Sequence, residues 1–278
     1  MFNLIDALLK QQNILHHSNH AITICSVDEK QGLDLSKALL NTIVDKKTAI
    51  YLSGGSTPRE LYEKLAKDED LFPGAVGMVD ERYGEKLHER SNEKMIKDTG
   101  LLRYFQMRDI PFYPILQNSP SLRGAERRGN LVDEIAALPL GARDDDFRKL
   151  AAQAYDEKVR SLHATFQKSV AILGIGSDGH TAGIPSQNSK LKIQNLKVDG
   201  YELVTEYNDT TGIYGERVTM TFLGLSMLDL LIVLALGDAK QHALEAMFEE
   251  GSQEEIPARF YKRPEIAVKT IIITDQMA

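Results

Sequence analysis

Short apolar runs rich in β-branched residues alternate along this chain with longer segments whose apolar residues recur every three or four positions. The runs Ala21–Ser26, Thr48–Ser53, Ala75–Val79, Val170–Leu173, Leu231–Leu236 and Thr270–Thr274 predict strands. Helical spacing covers Gly32–Val44, Pro58–Lys67, Asn92–Leu102, Leu150–Thr165 and Ala239–Glu249, and the N-terminal MFNLIDALLKQQNILHH reads as an amphipathic helix packed on the body. Strands alternating with helices predict an α/β fold of three layers, a mostly parallel sheet covered by helices on both faces. No internal repeat or low-complexity linker interrupts the pattern, so one domain over residues 1–278 is expected. Ser119–Arg148 is the least regular stretch, with charge clusters at Arg123–Arg128 and Arg143–Arg148, and reads as a surface insertion.

Composition narrows the class. Hydrophobic residues at 42% and charged residues at 26% are ordinary for a soluble globular protein. A net charge of −7, without a Lys/Arg stripe interleaved with aromatics, argues against a nucleic-acid partner. It does not argue against small anions, which need only a few well-placed cations. No apolar run approaches the ~20 residues that span a bilayer, so no membrane partner is expected. The N-terminus also lacks the basic start and small-residue cleavage site of a signal peptide. Cys25 is the single cysteine, which rules out an intramolecular disulfide and a cysteine-rich metal site. It sits in an apolar run as a buried thiol, in keeping with a reducing cytoplasm.

The candidate chemistry lies in loops that follow predicted strands. After SVAIL at 169–173 comes Gly174-Ile175-Gly176-Ser177-Asp178-Gly179-His180-Thr181, whose glycines permit a sharp turn around one carboxylate and one imidazole. That pairing holds and tunes a general base, although the segment alone also reads as a turn with a solvated Asp and His. After Thr48–Ser53 comes Ser53-Gly54-Gly55-Ser56-Thr57-Pro58, where two glycines and three hydroxyls at a helix N-terminus form a natural cradle for a phosphate, although the loop alone also reads as a well-capped helix with no ligand. Thr57 is expected to cap that helix, with Glu60 completing a capping box. The spacing is neither that of a Walker loop nor Gly-x-Gly-x-x-Gly, so no dinucleotide is indicated. Asp80-Glu81-Arg82 follows Ala75–Val79, ahead of Ser91-Asn92. It places Arg82 beside an anionic substrate, with Asp80 or Glu81 as an orienting carboxylate, or else marks the chain reaching solvent. Lys240, in Gly237-Asp238-Ala239-Lys240, opens a helix against the dipole, as a lysine reaching back to a phosphate would. Arg217 offers a second cation.

Taken together, SGGSTP at 53–58, DER at 80–82 with SN at 91–92, GIGSDGHTA at 174–182, RVTMT at 217–221 and GDAK at 237–240 resemble the 6-phosphogluconolactonase family in order and spacing. More broadly they resemble its relatives, the glucosamine-6-phosphate deaminases. The resemblance spans about Thr48 to Lys240 and implies a modified Rossmann-like domain that hydrolyses 6-phospho-glucono-lactone to 6-phosphogluconate in the oxidative pentose phosphate pathway. It implies His180 as general base, Asp178 orienting it, and Arg82, with Asp80 beside it, near the developing carboxylate. It assigns Ser53, Gly54, Gly55, Ser56, Thr57, Arg217 and Lys240 to the 6-phosphate. No metal or organic cofactor is expected, and a monomer or homodimer acting on a small sugar phosphate is. The deaminases carry a Phe-Asn-Glu-Pro stretch after Asp-Gly-His, whereas here Thr181-Ala182-Gly183-Ile184-Pro185 follows, without a carboxylate. That leaves a deaminase or aldose–ketose isomerase, and a non-catalytic sugar-phosphate binder, as alternatives. The chain departs from the lactonase pattern at Gly183–Pro185, one residue shorter and without an aromatic.

Overall fold

Each predicted apolar run forms a strand in the computed structural model, which describes residues 1–116, 144–186, 193–194, 200–211 and 215–276. The strands are β1 (Leu15–Asn19), β2 (Ile22–Ser26), β3 (Thr48–Leu52), β4 (Ala75–Met78), β5 (Asp80–Arg82), β6 (Lys168–Gly174), β7 (Ile193–Gln194), β8 (Val204–Asp209), β9 (Glu216–Met220), β10 (Leu230–Ala235) and β11 (Thr270–Thr274). Seven of them make one sheet in the order β1-β2-β11-β10-β6-β3-β4, parallel throughout except for β1 on β2. All of β3 and β10 is buried, as continuous apolar strands of a covered parallel sheet must be. Each fully buried Leu, Ile or Val there contributes roughly 1.5–3 kcal/mol of transfer free energy.

The helices are α1 (Phe2–Gln11), α2 (Glu29–Ile43), α3 (Ser56–Asp68), α4 (Asn92–Asp98), α5 (Leu101–Met107), α6 (Asp144–Thr165), α7 (Phe222–Ser226), α8 (Gln241–Phe248) and α9 (Pro264–Ala267). They flank the sheet, and α2 starts at a full capping box between Asp28 and Gln31. The helix expected over Asn92–Leu102 divides into α4 and α5 at Gly100, whose φ of 87° no helix accommodates. Among the described residues, no helix is long and apolar enough to cross a membrane.

Strand order positions the site. From β3 the chain moves outward to β4, whereas from β6, on β3's other side, it moves the opposite way to β10 and β11. The carboxyl ends of β3 and β6 therefore flank a topological switch, where open α/β sheets form a crevice. The Ser53–Pro58 and Gly174–Thr181 loops both leave from that point.

Two features were not legible in the hydrophobic pattern. The N-terminal helix stops at Gln11 and the chain turns into a β1–β2 hairpin through His20 and Ala21, both with positive φ (50° and 66°). That is the geometry of a two-residue primed turn, formed here without the usual Asn-Gly signature. The second feature is a four-stranded antiparallel sheet, β5-β9-β8-β7, which receives the chain directly from β4 at Val79. Helix α6 braces it through Arg148, fully buried, whose guanidinium reaches Glu206 (2.5 Å), Asp145 (2.6 Å) and Glu216 (2.9 Å). The end of the expected surface segment is thus an internal clamp. Residues 119–143 of it, including Arg123–Arg128, lie outside the described residues.

Candidate active site

A cleft of about 270 Å³ opens at the switch, lined by Ser53–Pro58, Asp80, Arg82, Asn92, Gly174–Gly176, His180, Ala182, Gly183, Arg217, Leu234 and Lys240. The sequence-predicted site residues line it except Asp178, which supports His180 from beside the wall, and Glu81, the alternative to Asp80.

The Asp178–His180 pair is built by the loop after β6. Gly176 N–H bonds the His180 carbonyl (2.8 Å) and Gly179 N–H the Gly176 carbonyl (2.9 Å), folding the segment back on itself. The imidazole then lies against Gly176, where a Cβ would come within 2.0 Å of its Nδ1. Only glycine fits there. Nδ1 meets Asp178 Oδ1 at 2.5 Å. Partial burial works against the Asp178 charge, but the hydrogen bond and charge of His180 outweigh it and hold the carboxyl below its ordinary range. An ionised Asp178 accepts, so Nδ1 carries the proton and Nε2 is the nitrogen that can accept one from water. Thr181, next in the chain, is held by the Gly174 carbonyl (2.9 Å) and the Tyr261 hydroxyl (2.6 Å), which fixes the loop to the body.

The cradle forms differently from expectation. The N-cap of α3 is Gly55, with φ 120°, and no side chain caps the helix. Thr57 is already inside the first turn, so the expected Thr57–Glu60 box does not form. The uncapped start favours ligand binding: amides left without a side-chain acceptor at the positive end of a 13-residue helix suit an anion. Tyr62, nearly two turns into the same helix, donates to the Ser53 carbonyl (2.9 Å) and anchors the loop.

The second sheet delivers the arginines. β5 pairs with β9 so that Arg82 lies opposite Arg217, and Asp80 opposite Thr219. Residues two apart on a strand share a face, so Asp80, Arg82, Arg217 and Thr219 belong together. Asp80 Oδ2 accepts from Arg217 Nη1 (3.0 Å), and both side chains are buried. Arg82 Nη1 donates to Asn92 Oδ1 (2.7 Å) and the Arg90 carbonyl (2.9 Å). Burial, and then the Arg217 charge, loosen Arg82's hold on its proton, yet an arginine stays charged near neutrality. Glu81, on the opposite face, points away from the cleft. It accepts from Ser91 Oγ (2.9 Å) and the amides of Asn92 (2.7 Å), Glu93 (2.8 Å) and Arg82 (2.7 Å), pinning α4 to β5. Of the two carboxylates left open by sequence, Asp80 faces the site and Glu81 builds the scaffold.

Lys240 belongs to a short 3-10 turn, Asp238–Lys240, ahead of α8. Burial in the cleft lowers its affinity for a proton, an effect that the Asp178 charge opposes. The shortened Gly183–Pro185 segment is held from below: Thr219 Oγ1 donates to the Ala182 carbonyl, and buried Tyr207 donates to the Gly183 carbonyl (2.7 Å). Neither residue was given a role from sequence, because the strands that carry them, β8 and β9, were not predicted and Thr219 entered only as part of RVTMT at 217–221.

A model of the family described as glucosamine-6-phosphate isomerases/6-phosphogluconolactonase matches residues 29–269. The chain belongs to this family. A family member from Synechocystis sp., a 6-phosphogluconolactonase, is 30% identical over 223 residues, 76% of each chain. The 6-phosphogluconolactonase of Nostoc sp. is 27% identical over 235 residues, 83% of this chain and 85% of that one. The family fold is evident too: the 6-phosphogluconolactonase structure from Plasmodium vivax aligns with a TM-score of 0.64 at 19% identity, covering 99% of this chain and 96% of that one. That from Thermotoga maritima aligns at 0.62 and 22% identity, covering 90% and 98%.

Proposed function

We propose that this chain hydrolyses 6-phospho-D-glucono-1,5-lactone to 6-phosphogluconate, the second step of the oxidative pentose phosphate pathway. One observation carries the reading. The Asp178–His180 pair and the uncapped amides of α3 face one cleft from adjacent strand ends, while no carboxylate follows on Thr181–Pro185. The related proteins named above bear the name of this activity.

In this reading the 6-phosphate sits on the Ser53–Thr57 amides and hydroxyls, with Arg217 and Lys240 as counter-charges, and so places the lactone carbonyl by His180. Water gives its proton to His180 Nε2 as its oxygen bonds to the carbonyl carbon. Asp178 stabilises the imidazolium that forms. The tetrahedral oxyanion collapses, the ring C–O bond breaks, and the ring oxygen takes a proton from the imidazolium to become a hydroxyl. The carboxyl product ionises beside Arg82, which Asp80 helps to orient by holding its neighbour Arg217. A lactone is a reactive ester, so a base and positioning suffice for its hydrolysis.

The test is acid release from freshly made 6-phosphogluconolactone, measured above the spontaneous rate, with ammonia release from glucosamine 6-phosphate followed in parallel. Accelerated acid release without ammonia is expected. Lactone hydrolysis no faster than in buffer would remove the proposal, and ammonia would turn it to the deaminase.

A further inference from the structure

Asn92 stands at the junction of three parts of the cleft. Its Oδ1 accepts from Arg82 Nη1 (2.7 Å), and its Nδ2 donates to Asp80 Oδ2 (3.1 Å) and to the Asp80 carbonyl (3.0 Å). The same Asp80 oxygen takes Arg217 Nη1. The amide also lies against Gly54 of the cradle, where a Cβ would come within 2.1 Å of Oδ1. Its orientation is forced by chemistry, since a guanidinium only donates and an ionised carboxylate only accepts. The backbone is fixed as well: Asn92 N–H donates to Glu81 (2.7 Å), and Ser91 caps α4 immediately before it.

We propose that Asn92 is a positioning residue that spaces the Arg82 and Arg217 guanidinium groups and keys them to the phosphate cradle. Two like charges opposite each other on adjacent strands would otherwise splay apart. The amide's oxygen accepts from Arg82 and its N–H donates to Asp80, which in turn holds Arg217, so the two cations are joined through the amide and one carboxylate. A carboxylate at this position would keep Arg82 but repel Asp80, and a hydrocarbon would hold neither. The role rests on the lactonase reading, since it acts through the cations that would meet the substrate.

The experiment compares wild type with Asn92→Ala, Asn92→Asp and Gly54→Ala, reading kcat/KM for the lactone between pH 5.5 and 8.5 together with unfolding midpoints. Asn92→Ala loses about 10- to 100-fold in kcat/KM, the scale of a small misplacement of binding groups. Asn92→Asp shows a similar loss at pH 8 and gains on wild type as pH falls, because the introduced acid, once protonated, again donates to Asp80. Gly54→Ala, which displaces the amide without altering it, shows a comparable loss. Asn92→Ala within twofold of wild type, an Asn92→Asp deficit constant with pH, or an unaffected Gly54→Ala overturns the positioning role alone. Should Asn92→Ala fail to fold, the near-isosteric Asn92→Asp profile decides. An inactive wild type overturns the lactonase reading and this role with it.

Discussion

Arg82 and Arg217 lie directly opposite each other on adjacent antiparallel strands, and Asp80 is salt-bridged to the more buried of the two. The cleft therefore holds two positive charges side by side, with a buried ion pair supporting one of them.

That arrangement makes Asp80 a stability residue as much as a site residue. Removing one partner of a buried pair costs on the order of 3 kcal/mol, because the other charge stays behind in low dielectric. Asp80→Asn should lower the urea midpoint accordingly, and added phosphate should narrow the gap by supplying a replacement anion. An unchanged midpoint at constant m-value would show that Arg217 does not depend on Asp80.

His180→Ala should cut turnover by roughly 10²–10⁴-fold, the usual worth of a positioned base. Affinity for 6-phosphogluconate, measured calorimetrically, should change little, since the proposed phosphate contacts are made by the Ser53–Thr57 loop, Arg217 and Lys240 and not by the imidazole. Turnover equal to wild type would remove His180 from the base role.

Lys240 gives the site a pH dependence whose sign is fixed by burial. The cationic form is disfavoured, so the amine gives up its proton below the ordinary lysine value of 10.5. Binding of 6-phosphogluconate should weaken as the solution is made alkaline and should be accompanied by proton uptake. Lys240→Arg keeps its charge and should flatten that dependence between pH 7 and 10. A flat wild-type profile would contradict it.

Cys25 affects stability and not catalysis. Burial pushes its thiol from 9.0 up to about 12, so between those values the folded chain holds a proton that the unfolded chain has lost. Its contribution is complete below pH 9 and is lost as pH rises toward 12, by up to about 4 kcal/mol. The unfolding free energy of Cys25→Ala should fall less steeply with pH than that of wild type just above pH 9. Parallel slopes would count against a neutral buried thiol.

Much of this molecule was written locally. The parallel strands announce themselves as apolar runs because both of their faces are covered, and the chemistry-bearing loops begin where those runs end. Asp178 and His180 lie two residues apart, so a single turn could bring them together, and the glycines around them signalled that turn. The absence of a carboxylate after His180, which favours the lactonase over the deaminase, is likewise a property of consecutive residues. What sequence alone did not disclose depends on distant partners. The antiparallel sheet was hidden because its strands are short and carry buried polar residues, Glu81, Glu206, Asp209 and Arg217, whose burial makes sense only once each has met its partner. The helix cap was misplaced because Thr57 fits the cap pattern, whereas the backbone at Gly55 sets where the helix begins. In sequence Asn92 was the start of a predicted helix and half of the Ser91-Asn92 motif, with no role assigned to it. Its meaning came from the fold, which brings Gly54, Asp80 and Arg82 around one amide through pairings that no local pattern encodes.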